Sequence, residues 1–325
     1  GSGSLRSLRA VTLSGEERLL SNVPGGLTLR DISKSGHVLL THDNVRKGIM
    51  GMGPGQAKER ELSWLEWSIP VDLSDDGSTL LFDEQGQAIG DRYAICLRKM
   101  DGSPVIRLGD GFPGALSPDG KWVIALLLGE QGTPVKLLPT GTGQPRTVIS
   151  GDFAQYGPFQ WLSDSRRFVF DAMDAGKERR LYLQDSEGGP PRALTPPGHP
   201  IKKFLLSGDR KTAFVQESDG GVVEIPVDGG TPRPYHPNMN LGGFEPIRFS
   251  GDDRSLFARD LDKIPVGIYR FDVATGRKEL MKQVSPGDPA GLQGIRTILL
   301  SADGRFYAYA YTRSLSDLYT ADGFR

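Results

Sequence analysis

Cysteine, histidine and tryptophan are scarce in this chain: one, four and four among 325 residues. A single cysteine, Cys96, excludes an internal disulfide framework and leaves the redox compartment open. It lies in the strand-like stretch Tyr93-Ala94-Ile95-Cys96-Leu97, where a small buried thiol is expected. His37, His42, His199 and His236 include no His-Glu-x-x-His spacing, so no zinc-hydrolase motif is present. An excess of one charge is also missing, because 39 Lys and Arg face 40 Asp and Glu. With the basic residues scattered, no face is prepared for a nucleic acid. The longest apolar run, Trp122 to Leu128, is far too short to cross a bilayer, and membrane insertion of this domain is not expected. Apolar residues rarely recur at three and four, so helices are nearly absent from the reading.

What the chain has in quantity is glycine, proline and a repeated turn. Gly (43) and Pro (23) suit many short strands joined by turns. Leu116-Ser117-Pro118-Asp119-Gly120-Lys121-Trp122 reads as strand, tight turn, strand: Asp and Gly supply turn geometry and the Ser hydroxyl can cap it. Related stretches recur at Ser33, Ser74, Ser163, Ser207, Ser250 and Ser301. A spacing of roughly 41 to 51 residues with several short strands per repeat indicates a β-propeller. The expectation is an all-β, seven-bladed β-propeller of four-stranded antiparallel blades occupying residues 5–325. Its inner hairpins fall near 27–42, 69–84, 113–128, 158–172, 201–216, 244–260 and 295–311. The ring is expected to close by an N-terminal strand near Arg18–Asn22, with residues 5–13 and 316–321 competing for one position in the last blade. Gly1-Ser2-Gly3-Ser4 reads as a cloning scar and no signal peptide is visible, so the chain reads as an excised domain.

Catalytic motifs were sought and each has a plainer reading. No Gly-x-Ser-x-Gly elbow occurs, and the serines of the repeat belong to turns. Gly48–Gly55 lacks the Gly-Lys-Ser/Thr of a phosphate cradle and reads as a mobile loop. Asp75-Asp76 and Asp252-Asp253 are adjacent instead of alternating around a glycine, which favours turns over calcium. The expectation is therefore no catalytic residue, no metal and no cofactor.

One constellation points to binding. Loops following the second and fourth strands of each blade emerge on one face. There the sequence places Asp43, Glu84, Asp171, Glu217 and Asp260, with Trp64, Trp67, Phe112, Phe153, Tyr156 and Trp161, and Arg313 near the end. An acidic rim interleaved with aromatics could hold a peptide or protein, the carboxylates selecting a basic partner. The bland reading is that the aromatics pack between blades and the acids are solvated.

The repeated turns, with Arg60–Ser68, Leu81–Gly86, Leu97–Pro104 and Arg313–Tyr319, resemble TolB-type, WD-repeat-like propeller repeats over essentially the whole chain. More narrowly, the chain is similar to the C-terminal propeller of bacterial serine/threonine protein kinases. The kinase motifs themselves (Gly-rich loop, His-Arg-Asp, Asp-Phe-Gly) are absent. The resemblance implies a non-catalytic sensor or protein-interaction domain, with a protein or peptide ligand and a kinase domain in the parent chain. It implies the extracytoplasmic (periplasmic) side of a bacterial membrane protein, the cytoplasm being the alternative. The competing functional reading is a propeller enzyme of lyase or lactonase type with a metal in the central channel.

Overall fold

The computed structural model describes residues 6–23, 26–86, 89–90, 93–127, 133–150, 153–173, 178–196, 201–217, 221–235, 239, 241–261 and 263–321. The recurrent turn builds it. In the first copy Ser74 Oγ donates to Asp76 Oδ1 at 2.6 Å and accepts the Thr79 backbone N–H at 2.9 Å. Ser117–Asp119, Ser207–Asp209, Ser250–Asp252 and Ser301–Asp303 repeat the bond at 2.6 to 2.7 Å. Each such hydroxyl satisfies a backbone donor that the reversal would otherwise leave open, and so fixes where the two strands begin to pair.

The chain starts with a hairpin, β1 (Arg6–Val11) and β2 (Glu17–Val23), followed by β3 (Gly26–Ile32), β4 (Val38–Met52) and β5 (Arg60–Glu61). Blade 1 is β6 (Trp67–Leu73), β7 (Thr79–Gln85), β8 (Ala94–Lys99) and β9 (Ile106–Asp110). Blade 2 is β10 (Phe112–Leu116), β11 (Trp122–Leu126), β12 (Val135–Pro139) and β13 (Arg146–Ile149). Blade 3 is β14 (Gln155–Trp161), β15 (Arg167–Met173), β16 (Arg179–Asp185) and β17 (Arg192–Ala193). Blade 4 is β18 (Ile201–Leu206), β19 (Thr212–Glu217), β20 (Val222–Pro226) and β21 (Arg233–Pro234). Blade 5 is β22 (Phe244–Phe249), β23 (Ser255–Asp260), β24 (Val266–Asp272) and β25 (Lys278–Val284). The last two strands are β26 (Leu292–Leu300) and β27 (Tyr307–Ala321).

The all-β propeller is as expected, but the described strands make six four-stranded blades and not seven. Blade 6 joins both ends of the chain: β26 pairs with the first half of β27, which pairs in turn with the second half of β4 (Tyr307↔Met52 to Tyr311↔Gly48), and β5 forms the outer edge. The closing strands are therefore β4 and β5. The stretch Arg18–Asn22 belongs instead to the β1–β2 hairpin. The contest between 5–13 and 316–321 does not arise either, because Ser316–Ala321 continues along Asp43–Val38 beyond the blade. There β3, β4 and β27 form a three-stranded extension. The hairpin near 27–42 thus exists, but it lies on this extension and is not a blade. A single parallel bridge, Lys47↔Trp67, ties blade 6 to blade 1.

Of the Gly-rich stretch Gly48–Gly55, Gly48–Met52 is likewise strand rather than mobile loop, and the chain turns at Pro54-Gly55. A Cβ on Gly48 would fall inside the Tyr311 ring, and one on Gly51 would sit 2.8 Å from the Tyr307 carbonyl oxygen. These glycines permit close approach of β4 to β27 at the ring closure.

Buried apolar residues fall into six clusters, one at each seam between blades. Leu81, Ile95 and Val123 fill the seam of blades 1 and 2, and Ile124, Trp161 and Phe168 that of blades 2 and 3. Val169 with Phe204 and Phe249 with Leu256 serve the next two seams. Phe257 with Tyr307 and Ile49 with Phe82 complete the circle. Cys96 is fully buried in the last of these, and burial pushes its thiol up to about 12.

Candidate functional site

The six inner strands, β6, β10, β14, β18, β22 and β26, surround a central channel of about 530 Å³. Each carries a register shift partway along, at Pro70/Asp72, Pro113/Ala115, Tyr156/Phe159, Ile201/Lys203, Pro246/Arg248 and Ile295/Ile298. Such bulges add twist and re-aim side chains. Past the bulge, the residue two before the turn serine lines the channel in five blades, Ala115 of blade 2 packing instead in the seam with blade 3.

At that position polar and apolar residues alternate around the ring. Blades 1, 3 and 5 present Asp72, Gln160 and Arg248, while blades 2, 4 and 6 present Ala115, Leu205 and Leu299. In blade 3 the turn is offset, Leu162 taking the place of the serine through its bond to the Arg167 carbonyl. Each polar member holds the backbone of the next blade. Asp72 Oδ2 accepts Leu116 N–H at 2.9 Å, Gln160 Oε1 accepts Leu206 N–H at 3.0 Å, and Arg248 donates to the Leu300 carbonyl at 3.0 Å. Burial pushes the Asp72 carboxyl above its ordinary range, against the pull of the Leu116 N–H and the charges of Arg210 and Arg248.

The hairpin-turn end of the channel is crossed by ions. Arg210, in the turn of blade 4, sends one guanidinium nitrogen to both oxygens of Asp75 in the turn of blade 1, each at 2.7 Å. Arg248 of blade 5 reaches the same carboxylate at 2.9 Å. Blades 1 and 4 stand opposite in a ring of six, so the Asp75–Arg210 pair is a strut across it. Arg210 holds φ at +60°, and its turn counterparts Ser165 and Asp253 hold +53° and +58°. In three other copies this place is glycine, at +69° to +72°. Each non-glycine residue uses its side chain between blades: Ser165 Oγ accepts Asp119 N–H at 3.0 Å, and Asp253 accepts Gly208 N–H. The backbone strain, about 1 kcal/mol per residue, is retained where it brings a tie across the ring.

The expected rim residues are distributed differently. Glu84 is fully buried; it accepts Trp67 N–H at 2.9 Å, Leu65 N–H at 3.3 Å and the Ser68 hydroxyl. Trp67 is half-buried, its indole N–H donating to the Val45 carbonyl at 2.8 Å while Lys47 Nζ lies 4.6 Å from the ring centroid. Trp64, on the same loop, is exposed. These three form one local group. Phe153 is buried and, with half-buried Tyr156, packs on Phe170; Trp161 is core, donating to the Ala115 carbonyl at 3.3 Å. Phe112 packs on Tyr93, 4.1 Å between centroids.

The remaining acids are scattered. Asp171 is buried and paired with Arg179 at 2.5 Å, and its carboxyl is pushed up by burial. Asp260 is buried and accepts Gly267 N–H at 2.7 Å. Asp43 lies on the extension, bonded by Ser316 Oγ at 2.6 Å. Glu217 is half-buried at the end of β19, and Arg313 pairs with Asp288 at 3.1 Å. Burial therefore puts Glu84, Phe153, Trp161, Asp171 and Asp260 out of direct reach, and no continuous acidic rim forms from the twelve. Among the described residues no group of three or more His, Cys, Asp and Glu side chains has the geometry of a metal site.

Missed in the sequence were Asp72, Asp75, Gln160, Arg210 and Arg248. Their signal was available: a polar residue two before the turn in alternate repeats, and an arginine where the turn favours glycine.

No family model matches the chain, and no curated protein does. Solved structures do. A putative TolB from Agrobacterium tumefaciens aligns with a TM-score of 0.57 at 20% identity, covering 83% of this chain and 99% of its own. TolB from Acinetobacter baumannii aligns at 0.50 and 15% identity, covering 83% of this chain and 66% of its own. A chain of a nidogen–laminin complex aligns at 0.51 and 10% identity, covering 74% of this chain and 94% of its own. At these identities the likeness is one of fold: a TolB-like β-propeller.

Proposed function

We propose that this propeller is a non-catalytic recognition domain that holds a peptide or protein segment in its channel and at the mouth away from the hairpin turns. The observation that carries the reading is the channel floor. Two guanidiniums, Arg210 and Arg248, there share one carboxylate, Asp75, in a channel large enough for a few side chains. A carboxylate entering from the mouth meets donors already positioned, and charge-assisted bonds of this kind reward an acidic side chain or a free C-terminus. The chemistry thus turns from the basic partner that an acidic rim would select to an acidic one. Support also comes from the nidogen–laminin structure, in which this fold occurs in a protein–protein complex.

The wider context follows from the resemblance of the repeats. The domain acts as the C-terminal sensor or interaction part of a bacterial serine/threonine kinase, on the extracytoplasmic side, passing occupancy to the kinase through orientation or oligomerisation. Panning a display library of peptides with free C-termini against the purified domain tests the binding reading. Enriched acidic peptides that lose affinity on Thr297→Trp, which fills the channel, support it. No enrichment, or enrichment indifferent to that substitution, refutes it. Stoichiometric metal in the same preparation together with lyase or lactonase turnover would favour the enzymatic alternative.

A further inference from the structure

We infer a second, separate ligand site: a pocket in the seam between blades 4 and 5 that takes a small amphiphile with an aromatic or alkyl body and an anionic end. At the seam of blades 2 and 3 the rings of blade 3 gather in one group, Phe159, Phe168 and Phe170 lying within about 6 Å of one another. Between blades 4 and 5 the rings separate into two groups. Phe214 packs on Tyr235 and Phe249 at 4.7 and 4.8 Å, while Phe244 turns onto Tyr269 and Phe271 of its own blade at 4.9 and 5.3 Å. The space left between these walls is about 610 Å³, also lined by Phe204 and Leu241. That volume lies within the range of drug-sized ligand sites, and the lining is predominantly apolar. Phe214, Leu241 and Phe244 stay only partly buried beside the small core here. Burying that surface under a ligand removes apolar area from water and is favourable.

The pocket has charge on one side. Lys203 Nζ sits 3.5 Å from Glu245 and donates to the Pro246 carbonyl at 3.0 Å, and Arg259 binds the other Glu245 oxygen. Lys202 lines the pocket too and is exposed. Two lysines and one carboxylate thus line the pocket, a positive balance that an anionic headgroup completes. Burial raises the Glu245 carboxyl, but Arg259 and Lys203 outweigh it and hold it below the usual range. It therefore stays ionised and does not itself recruit a cationic ligand by needing a partner.

Fluorescence titration with 8-anilinonaphthalene-1-sulfonate, followed by competition, tests the site. The expected result is saturable one-to-one binding, displaced by decanoate but not by decyltrimethylammonium. Val222→Trp and Leu261→Trp, two separate ways of filling the pocket, should each weaken binding at least tenfold while leaving the unfolding midpoint within a few degrees. Thr297→Trp, in the channel, should leave it unchanged, which separates this site from the channel. Lys202→Glu with Lys203→Glu should lower affinity for the sulfonate more than for uncharged naphthalene. Non-saturable fluorescence, equal displacement by the cationic detergent, or binding unaltered in whichever filling variant folds would overturn the assignment.

Discussion

Asp83 offers the sharpest test of the energetics of this ring. It lies at the end of β7 with only 4% of its surface exposed, and its Oδ2 accepts Gln85 Nε2 at 2.7 Å. Oδ1 has no hydrogen-bond partner among the described residues. Burial, with a smaller push from Glu84, outweighs the Gln85 bond and Lys47 and moves the carboxyl from 3.8 to about 6. A carboxyl raised in the folded state favours folding when protonated. Its contribution is complete below pH 3.8 and is lost as the pH climbs through about 6. At about 1.4 kcal/mol per pH unit, the loss by neutral pH approaches 3 kcal/mol. Asp83→Asn removes this dependence and keeps an acceptor for Gln85. Its new amide hydrogens lack a partner, which costs about 1 kcal/mol. The variant is therefore expected to be more stable than the parent by about 2 kcal/mol at pH 7.5 and equal or slightly less stable at pH 4. Paired urea or thermal unfolding of the two proteins at both pH values measures the difference of differences, in which other titrating groups cancel. A gap between variant and parent that is the same at pH 4 and pH 7.5 would refute the reasoning.

Three further outcomes follow from the turns and the closure. Arg210→Ala and Arg210→Gly both lose the strut to Asp75, but only glycine relaxes φ at +60°; the glycine variant should be more stable than the alanine variant by about 1 kcal/mol in denaturant titration. Gly48→Ala places a methyl group into the Tyr311 ring at the junction of the chain's two ends, so a loss of at least about 2 kcal/mol and a lower thermal midpoint are expected. Asp76, Asp119, Asp164, Asp209, Asp252 and Asp303 are all held below 3.8. For the four paired with Ser74, Ser117, Ser207 and Ser301, burial pushes upward but the Ser hydroxyl and backbone N–H bonds prevail. Their support is present above pH 3.8 and disappears below it, so Ser117→Ala should cost about 1 kcal/mol at pH 7 and markedly less at pH 2.5.

The turn chemistry was legible because it is local: a serine, an aspartate two residues on and a positive-φ place after it suffice to mark a hairpin. That is also why the count failed. The hairpin near 27–42 carries nearly the same marks, with Ser35 in the aspartate's place and Gly36 at positive φ: Asp31 Oδ1 accepts Ile32 N–H as Asp72 Oδ1 accepts Leu73 N–H, both at 2.8 Å, and β3 has the same kind of register shift. What differs is non-local. The partner of β4 is β27, more than 250 residues away, and it runs on past the blade. The outcome shows in β3, Gly-Leu-Thr-Leu-Arg-Asp-Ile, none of which is buried, whereas inner strands of blades such as Trp-Ser-Ile-Pro-Val-Asp-Leu bury several residues. Five of the candidate site residues, Glu84, Phe153, Trp161, Asp171 and Asp260, are buried for a related reason. Whether Glu84 faces solvent or the Trp67 loop depends on how the segment ahead of β6 folds back over its own blade, which no local pattern announces. The channel residues were hidden by an offset of two from a motif whose own serine draws the eye.

The central proposal for this propeller is that its channel holds the partner. Titrating a peptide enriched by display against the parent protein, Thr297→Trp and Trp64→Ala measures this by calorimetry. The expectation is at least a tenfold loss of affinity for the channel-filling variant and less than a twofold change for the exposed tryptophan. Full affinity in Thr297→Trp together with a large loss in Trp64→Ala would contradict it and move recognition to the outer loops.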